Sequence, residues 1–355
     1  MTDIRNEAVP RSGRGAYNVL SVRRQIILLA LAAGLCAAFV GDIATGPASY
    51  GIGEVVRTLV SPAEADAQMR VIVWSIRMPS ALMAIVVGIA LAIGGAQMQT
   101  ILNNPLASPF TLGISSGASF GAALALAFGV ALIPMAGDYI VAANAFVVAM
   151  ATAFLIHLAS LRRGASVQTI VLLGIALVFS FNTALAITQY FADQQAVAAI
   201  VFWTMGSLTK ATWPKLAITA LVVGLTLPVF LRRRWQLTAL RLSEARAASF
   251  GVPVRRLRLE TLILVSLLSA IPVAFVGTIG FIGLVGPHIA RMMVGEDQRF
   301  LLPASALTGA LIMSLSSVLA KIAVPGAVLP IGIVTAAIGL PVFLYLILKS
   351  GREIW

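Results

Sequence analysis

Few residues in this 355-residue sequence are of a type that does covalent or metal chemistry. There are two histidines, His157 and His288, and one cysteine, Cys36. One cysteine excludes an internal disulfide and any multi-cysteine metal site, and two histidines are too few for a histidine-built centre. His288 follows Pro287 and reads as a buried, hydrogen-bonded side chain, with a haem or metal ligand as the alternative. No lysine follows a glycine, so there is no Gly-Lys-Ser/Thr phosphate loop. No nucleophile stands with its base, and no catalytic or metal-binding residue is assigned. The residues that act by charge are arginines. Eight of the 21 lie in the 27 residues from Arg232 to Arg258, around Ser243-Glu-Ala-Arg-Ala-Ala-Ser-Phe-Gly251. Ser243 suits a helix N-cap, Glu244 complements the positive helix end, Gly251 suits the C′ position and Pro253 stops continuation. The spacing predicts about two turns of helix with a face of small residues, Ala245, Ala248 and Ser249, open to close approach by another macromolecule.

The elements that position this segment belong to a membrane. The chain is 59% hydrophobic and 11% charged, with mean hydropathy +0.98, whereas a soluble domain carries about 25% charged residues. Apolar runs of about 20 residues recur, which predicts an all-α polytopic membrane protein. Nine spans read as about 26–44, 78–101, 112–132, 139–160, 167–191, 213–231, 259–276, 302–322 and 329–348. A tenth, 281–295, is short and interrupted by Gly286-Pro287. Ten spans return the chain to its starting side. With ten, 19 Lys+Arg fall on one side and six on the other, which puts both termini in the cytoplasm. The eight arginines of 232–258 would cost about 20 kcal/mol or more inside a bilayer, at roughly 2.5–3.5 kcal/mol each, so that run is a cytoplasmic loop. The layout is a tail (1–23), a transmembrane domain (24–349) and a tail (350–355), with Cys36 a small apolar residue of a retained first span. The net charge of +12 sits between apolar runs, as orientation signals do, and does not point to nucleic acid.

Inside the spans, acidic residues are confined to loops and span ends. A proton- or sodium-coupled carrier usually holds ionisable groups at mid-membrane, so the driving energy is expected from another polypeptide; an ATP-independent secondary transporter is the rival reading. Gly113, Gly117 and Gly121 share a helix face that lets two backbones approach. Gly277, Gly280, Gly283 and Gly286 predict short or irregular helices, tolerated in a membrane only under protein cover or beside a cavity. Asn182 and Gln189 share one face of the fifth span, and Gln97 and Asn104 one face of the second. Such faces either line a water-filled path or hydrogen-bond neighbouring helices. Asn103-Asn-Pro-Leu-Ala-Ser-Pro109 makes a tight cytoplasmic turn.

Three stretches carry a resemblance: Asn104-Pro-Leu-Ala-Ser-Pro-Phe-Thr-Leu-Gly113, Gly280-Phe-Ile-Gly-Leu-Val-Gly-Pro-His-Ile-Ala-Arg291 and Leu329-Pro-Ile-Gly-Ile-Val-Thr-Ala-Ala-Ile-Gly-Leu-Pro341. In that order they resemble the FecCD-type permeases, membrane subunits of type II ABC importers for iron-siderophores, haem and cobalamin. The resemblance runs from about Arg77 to Lys349. It implies ten helices, a bacterial inner-membrane location, a dimer of permeases, two cytoplasmic ATPases that bind ATP and Mg, and a periplasmic binding protein, with no cofactor bound by this chain. It also implies roles. Ser243, Glu244, Ala245, Arg246, Ala248 and Gly251 match the ATPase-coupling loop. Asn104, Pro105 and Leu106 match a cytoplasmic gate, and Ser166 falls in its second constriction. Asn182, Gln189 and Gln97 are path candidates, and Arg77, with Arg70 or Arg57, docks the binding protein. Two departures stand out. Ser80 replaces a second docking arginine, and Ser316-Ser-Val-Leu-Ala-Lys321 lacks the Asp that many members carry before the basic residue.

Overall fold

The computed structural model describes residues 13–47, 50–133, 137, 139–161 and 167–350, which form helices and no strand. In order these are α1 (Gly13–Ala44), α2 (Ile52–Val60), α3 (Ala67–Val71), α4 (Met78–Ile101), α5 (Ile114–Phe128), α6 (Tyr139–Leu161), α7 (Val167–Phe191), α8 (Gln194–Thr204), α9 (Trp213–Leu240), α10 (Glu244–Ser249), α11 (Val254–Val276), α12 (Ile282–Val294), α13 (Gln298–Ile322) and α14 (Ile331–Ser350). A six-residue π-helical stretch, Ile72–Arg77, fuses α3 to α4. Among the described residues, seven segments are long and apolar enough to cross a membrane: 20–44, 67–101, 139–161, 167–191, 213–240, 254–276 and 298–322. Three shorter apolar helices, α5, α12 and the 331–345 part of α14, fall where the remaining expected spans lie.

Helix α4 is the centre. From Ala90 to Ile101 every residue is buried, and α9, α11, α12 and α13 pack around it. Lipid offers no hydrophobic drive for helices to associate, so close backbone approach must supply the attraction. Gly95 and Gly283 provide it between α4 and α12: a Cβ on Gly95 would overlap the Gly283 carbonyl oxygen. The glycine face of α5 does the same against α6, where Gly121 meets the Asn144 carbonyl. Gly117 and Gly121 take the packing role expected of that spacing, whereas Gly113 precedes the helix at φ +85° and packs against α7.

The break before α12 is covered by protein, as the glycine periodicity requires. Residues 277–281 run without helix beside the 204–207 turn and the entry to α14. Ser207 N donates to Val276 O (2.7 Å), Ile331 N to Gly206 O (3.1 Å) and Gly332 N to Met205 O (3.0 Å). Three non-helical segments thereby satisfy one another's backbone where lipid could not.

The basic run is not one loop. Helix α9 continues to Leu240 and α11 begins at Val254, so most of the run is helical, with α10 between them. The arginines permit this because they pair along the helices: Arg233 and Arg256 both reach Glu260 at 2.7 Å. Helices α2, α3 and α8 lie in the expected outer loops. Short length hid them, although Asp66 and Asp193 are their N-caps, accepting from Gln68 N (3.1 Å) and Ala196 N (2.8 Å).

The glycine contact yields a test. Gly95→Ala should cost about 3 kcal/mol or more through overpacking and remove the monodisperse species from detergent extracts. Gly224→Ala on α9, which meets nothing within 4 Å, should be neutral or stabilise by about 1 kcal/mol. Thermal unfolding of the two purified variants decides; equal behaviour would refute the close-approach role.

Candidate functional site

The residues of the basic segment build a short, stiff peg. Ser243 Oγ accepts from Arg246 N at 3.1 Å, the expected N-cap. At the other end Gly251 takes φ +78°, Gly251 N donates to Ala248 O (2.9 Å) and Val252 N to Ala247 O (3.1 Å). This pair of bonds is a Schellman closure, which needs a left-handed residue at C′. Ala247 and Val252 are buried and join the apolar cluster that holds Ile101, Leu102 and Ala107. Ala245, Ala248 and Ser249 are exposed, as their spacing predicted, and so are Leu242, Arg246 and Phe250. The peg therefore shows small side chains outward, framed by two large apolar ones.

The Asn104-Pro105-Leu106 turn lies directly after α4. Asn104 Oδ1 accepts from Leu106 N at 2.9 Å, and Leu106 is 48% exposed at the tip. Peg and turn are connected. The Arg258 guanidinium forms an ion pair with Glu244, and its Nε donates to Ile101 O at 3.3 Å. Arg255 Nη2 donates to Leu161 O (2.8 Å) at the end of α6. Ser166, the second constriction candidate, lies outside the described residues. The bonds to Ile101 O and Leu161 O join residues 157 and 94 positions apart, so residue order alone marks these arginines mostly as topology signals.

The path candidates separate. Asn182 is exposed and Gln189 half-buried on α7, a helix that leaves most of its surface open. Gln97 is 0% exposed and donates to Gln298 Oε1 at 3.0 Å, while Gln298 Nε2 donates to Thr100 Oγ1 at 3.0 Å. Of the two readings open for that face, Gln97 makes the helix-to-helix hydrogen bond.

The docking arginines separate as well. Arg57 and Arg70 are exposed. Arg77 is only 4% exposed: its Nη1 donates to Ile43 O (3.0 Å) and Ala44 O (3.1 Å), capping the last carbonyls of α1. The Arg77 guanidinium thus caps the C-terminal end of α1. Ser80 is buried beside it, and both line a cavity of about 310 Å³ with Ser317 and Lys321.

The acid missing from α13 comes from α1. Asp42, 0% exposed, receives Lys321 Nζ at 2.7 Å and Ser317 Oγ at 2.8 Å on Oδ1. Sequence reading placed Asp42 at a span end, with nothing local to mark its partner 279 residues on. Breaking such a pair leaves a buried charge and costs roughly 3–5 kcal/mol. Asp42→Asn and Lys321→Met should each lower the thermal midpoint in detergent, and Asp42→Asn with Lys321→Met should recover part of the loss. Additive losses in the double variant would refute direct pairing.

Comparison with known proteins gives the family. Residues 22–349 match the model of the FecCD transport family. The hemin transport system permease protein HmuU of Yersinia pestis is 37% identical over 313 residues, 88% of this chain and 93% of that one. The vitamin B12 import system permease protein BtuC of Citrobacter koseri is 34% identical over 334 residues, 94% of each. A solved inward-facing ABC transporter, named as of metal-chelate type, superposes with TM-score 0.80 at 32% identity, over 92% of this chain and 99% of that one. The chain belongs to the FecCD transport family, as the permease subunit of a type II ABC importer.

Proposed function

We propose that this permease moves a ferric chelate, an iron-siderophore, from the periplasm to the cytoplasm across a bacterial inner membrane. In this reading two permease subunits form the channel, two cytoplasmic subunits bind ATP and Mg, and a periplasmic protein delivers the cargo. All ten apolar helices cross the bilayer with both termini cytoplasmic, which the 19-to-6 distribution of Lys and Arg supports. Helix α10 seats on an ATPase through Ala245, Ala248 and Ser249, and Leu106 narrows the cytoplasmic exit. Asn182 and Gln189 face the path, and Arg57 and Arg70 meet acidic groups of the binding protein.

The observation that carries the reading is the direct link from Glu244 through Arg258 to Ile101 O, since it joins the ATPase-facing peg to the turn that ends in Leu106. A load on α10 has a polar connection to the exit without passing through a flexible loop. The cargo class is supported by the hemin-transporting relative and by the metal-chelate type of the solved neighbour. HmuU favours haem as the second reading of cargo, ahead of cobalamin.

The test is transport by the reconstituted complex with ferric siderophore, hemin or cobalamin supplied on the binding-protein side. Ferric siderophore uptake should require ATP. Ala248→Trp, which fills the small face, and Glu244→Arg, which sets two guanidinium groups together, should each lower uptake at least tenfold while ATP hydrolysis continues. Normal uptake by both variants would refute the coupling role; uptake of hemin or cobalamin alone would reassign the cargo; uptake by this chain alone would overturn the ABC mechanism.

A further inference from the structure

A second connection runs from the base of α10 to the same turn, and it has the form of a fork. Arg241 lies two residues before the Ser243 N-cap, at the end of α9. Its Nη1 donates to Asn103 Oδ1 at 2.8 Å and its Nη2 to Glu296 Oε1 at 2.6 Å. A guanidinium is planar and presents its donors in fixed directions, so the two partners cannot move independently while both bonds hold. One partner belongs to the turn between α4 and α5 and the other to the loop between α12 and α13.

The cluster around this fork is not at rest electrostatically. Arg291 Nε lies 3.0 Å from the same Glu296 Oε1, and Arg291 Nη1 donates to Gln99 Oε1 at 2.9 Å. Two guanidinium groups thus share one carboxylate, and the amide oxygens of Asn103 and Gln99 receive the remaining positive charge. Beside it Asp297, the N-cap of α13, is partly buried; burial alone would raise its pKa, but hydrogen bonds from Arg299 and the charge of Arg24 outweigh that and hold the carboxyl below its ordinary value. Arg241 Nε and Glu296 Oε2 are buried with no hydrogen-bond partner. Buried polar atoms left unpaired cost free energy, and a cluster with both a spare donor and a spare acceptor has a second way to pair. The held turn is itself under constraint, since Asn103 takes φ +43°, a left-handed conformation that a residue other than glycine adopts at a cost.

We propose that Arg241 is the positioning residue that transmits movement of α10 to the 103–106 turn, by holding Asn103 and Glu296 on one guanidinium and exchanging these bonds when α10 moves. This rests on the coupling and exit roles given above to α10 and Leu106. The fork does not carry the fold alone, because Arg258 holds the end of α4 independently through Ile101 O. Removing Arg241 should therefore leave an assembled complex whose ATPase and exit no longer move together.

The experiment uses the full complex with its ATPase, with Cys36→Ser and Leu106→Cys introduced, and a membrane-impermeant maleimide applied from the cytoplasmic side. In the parent complex the labelling rate at position 106 should change at least fivefold between the nucleotide-free and the ATP–vanadate states. With Arg241→Ala the change should fall below twofold while ATP hydrolysis persists. Arg241→Lys, which keeps charge but not the fork, should also fail to restore it. Asn103→Gly removes the other end of the bond from an exposed position without straining the left-handed backbone and should give the same loss, and Arg241→Ala with Asn103→Gly should be no worse than either alone. If Arg241→Ala does not assemble, Asn103→Gly decides. A fivefold change that survives both single substitutions would overturn the proposal alone. No nucleotide-dependent change in the parent complex would overturn the exit role of Leu106 and the proposal with it.

Discussion

The rest of the molecule depends on how closely α4 can approach α12. That contact has a glycine on each side, Gly95 and Gly283, and leaves no room for a methyl group. In lipid, such backbone proximity replaces the hydrophobic drive that assembles soluble helices. Its consequence is mechanical. With every residue from Ala90 to Ile101 buried, α4 has no free face on which to slide, and its final turn becomes a fixed mounting. The Asn104-Pro105-Leu106 turn extends from that mounting, and both arginine links from the α10 region end on or beside it.

The two ends of the protein are fastened by different chemistry. At the outer end the fastenings are buried: Asp42 with Lys321 and Ser317, and Arg77 on the carbonyls of α1. Rearranging them means exposing or stranding a charge, at several kcal/mol each. At the cytoplasmic end the Glu244–Arg258, Arg233–Glu260 and Arg241–Glu296 pairs are partly exposed. These pairs keep some opening to water, so exchanging them costs less than stranding a fully buried charge. On the topology proposed above, this difference makes the end holding Asp42 the harder of the two to rearrange.

Sequence patterns were sufficient where the information is local. The span from Met78 to Ile101 and that from Val167 to Phe191 coincide with helices, and the cap, small face and stop of Ser243–Gly251 are found as their residue types require. Short helices were harder: α2 and α8 are too short to read as spans and lie within the outer loops. Long-range pairing could not be read at all. Nothing near Asp42 marks Lys321, and nothing near Arg258 marks Ile101. The bonds that Arg77 makes to the carbonyls of α1 and Gln97 to Gln298 were likewise not legible, since each joins residues far apart in sequence. Such assignments depend on what stands opposite the side chain, which one chain's order of residues does not state.

A six-residue helix is too short to persist in water on its own, because nucleation fixes more torsions than its few hydrogen bonds offset. Helix α10 persists because both ends are closed, by Ser243 and by the Gly251 turn, and because Ala247 is buried in the common core. An element stabilised in this way has little internal slack. When its exposed face is pushed, it either moves as a body or loses its caps and unwinds. Unwinding would waste the displacement, so the coupling role proposed above requires that the caps be stronger than the ion pairs around them. An N-cap is worth about 1 kcal/mol, an exposed ion pair commonly less, and the left-handed Gly251 adds a closure that other residues make at a cost of about 1–2 kcal/mol. The order of strengths therefore favours a peg that holds its shape while the contacts at its rim exchange.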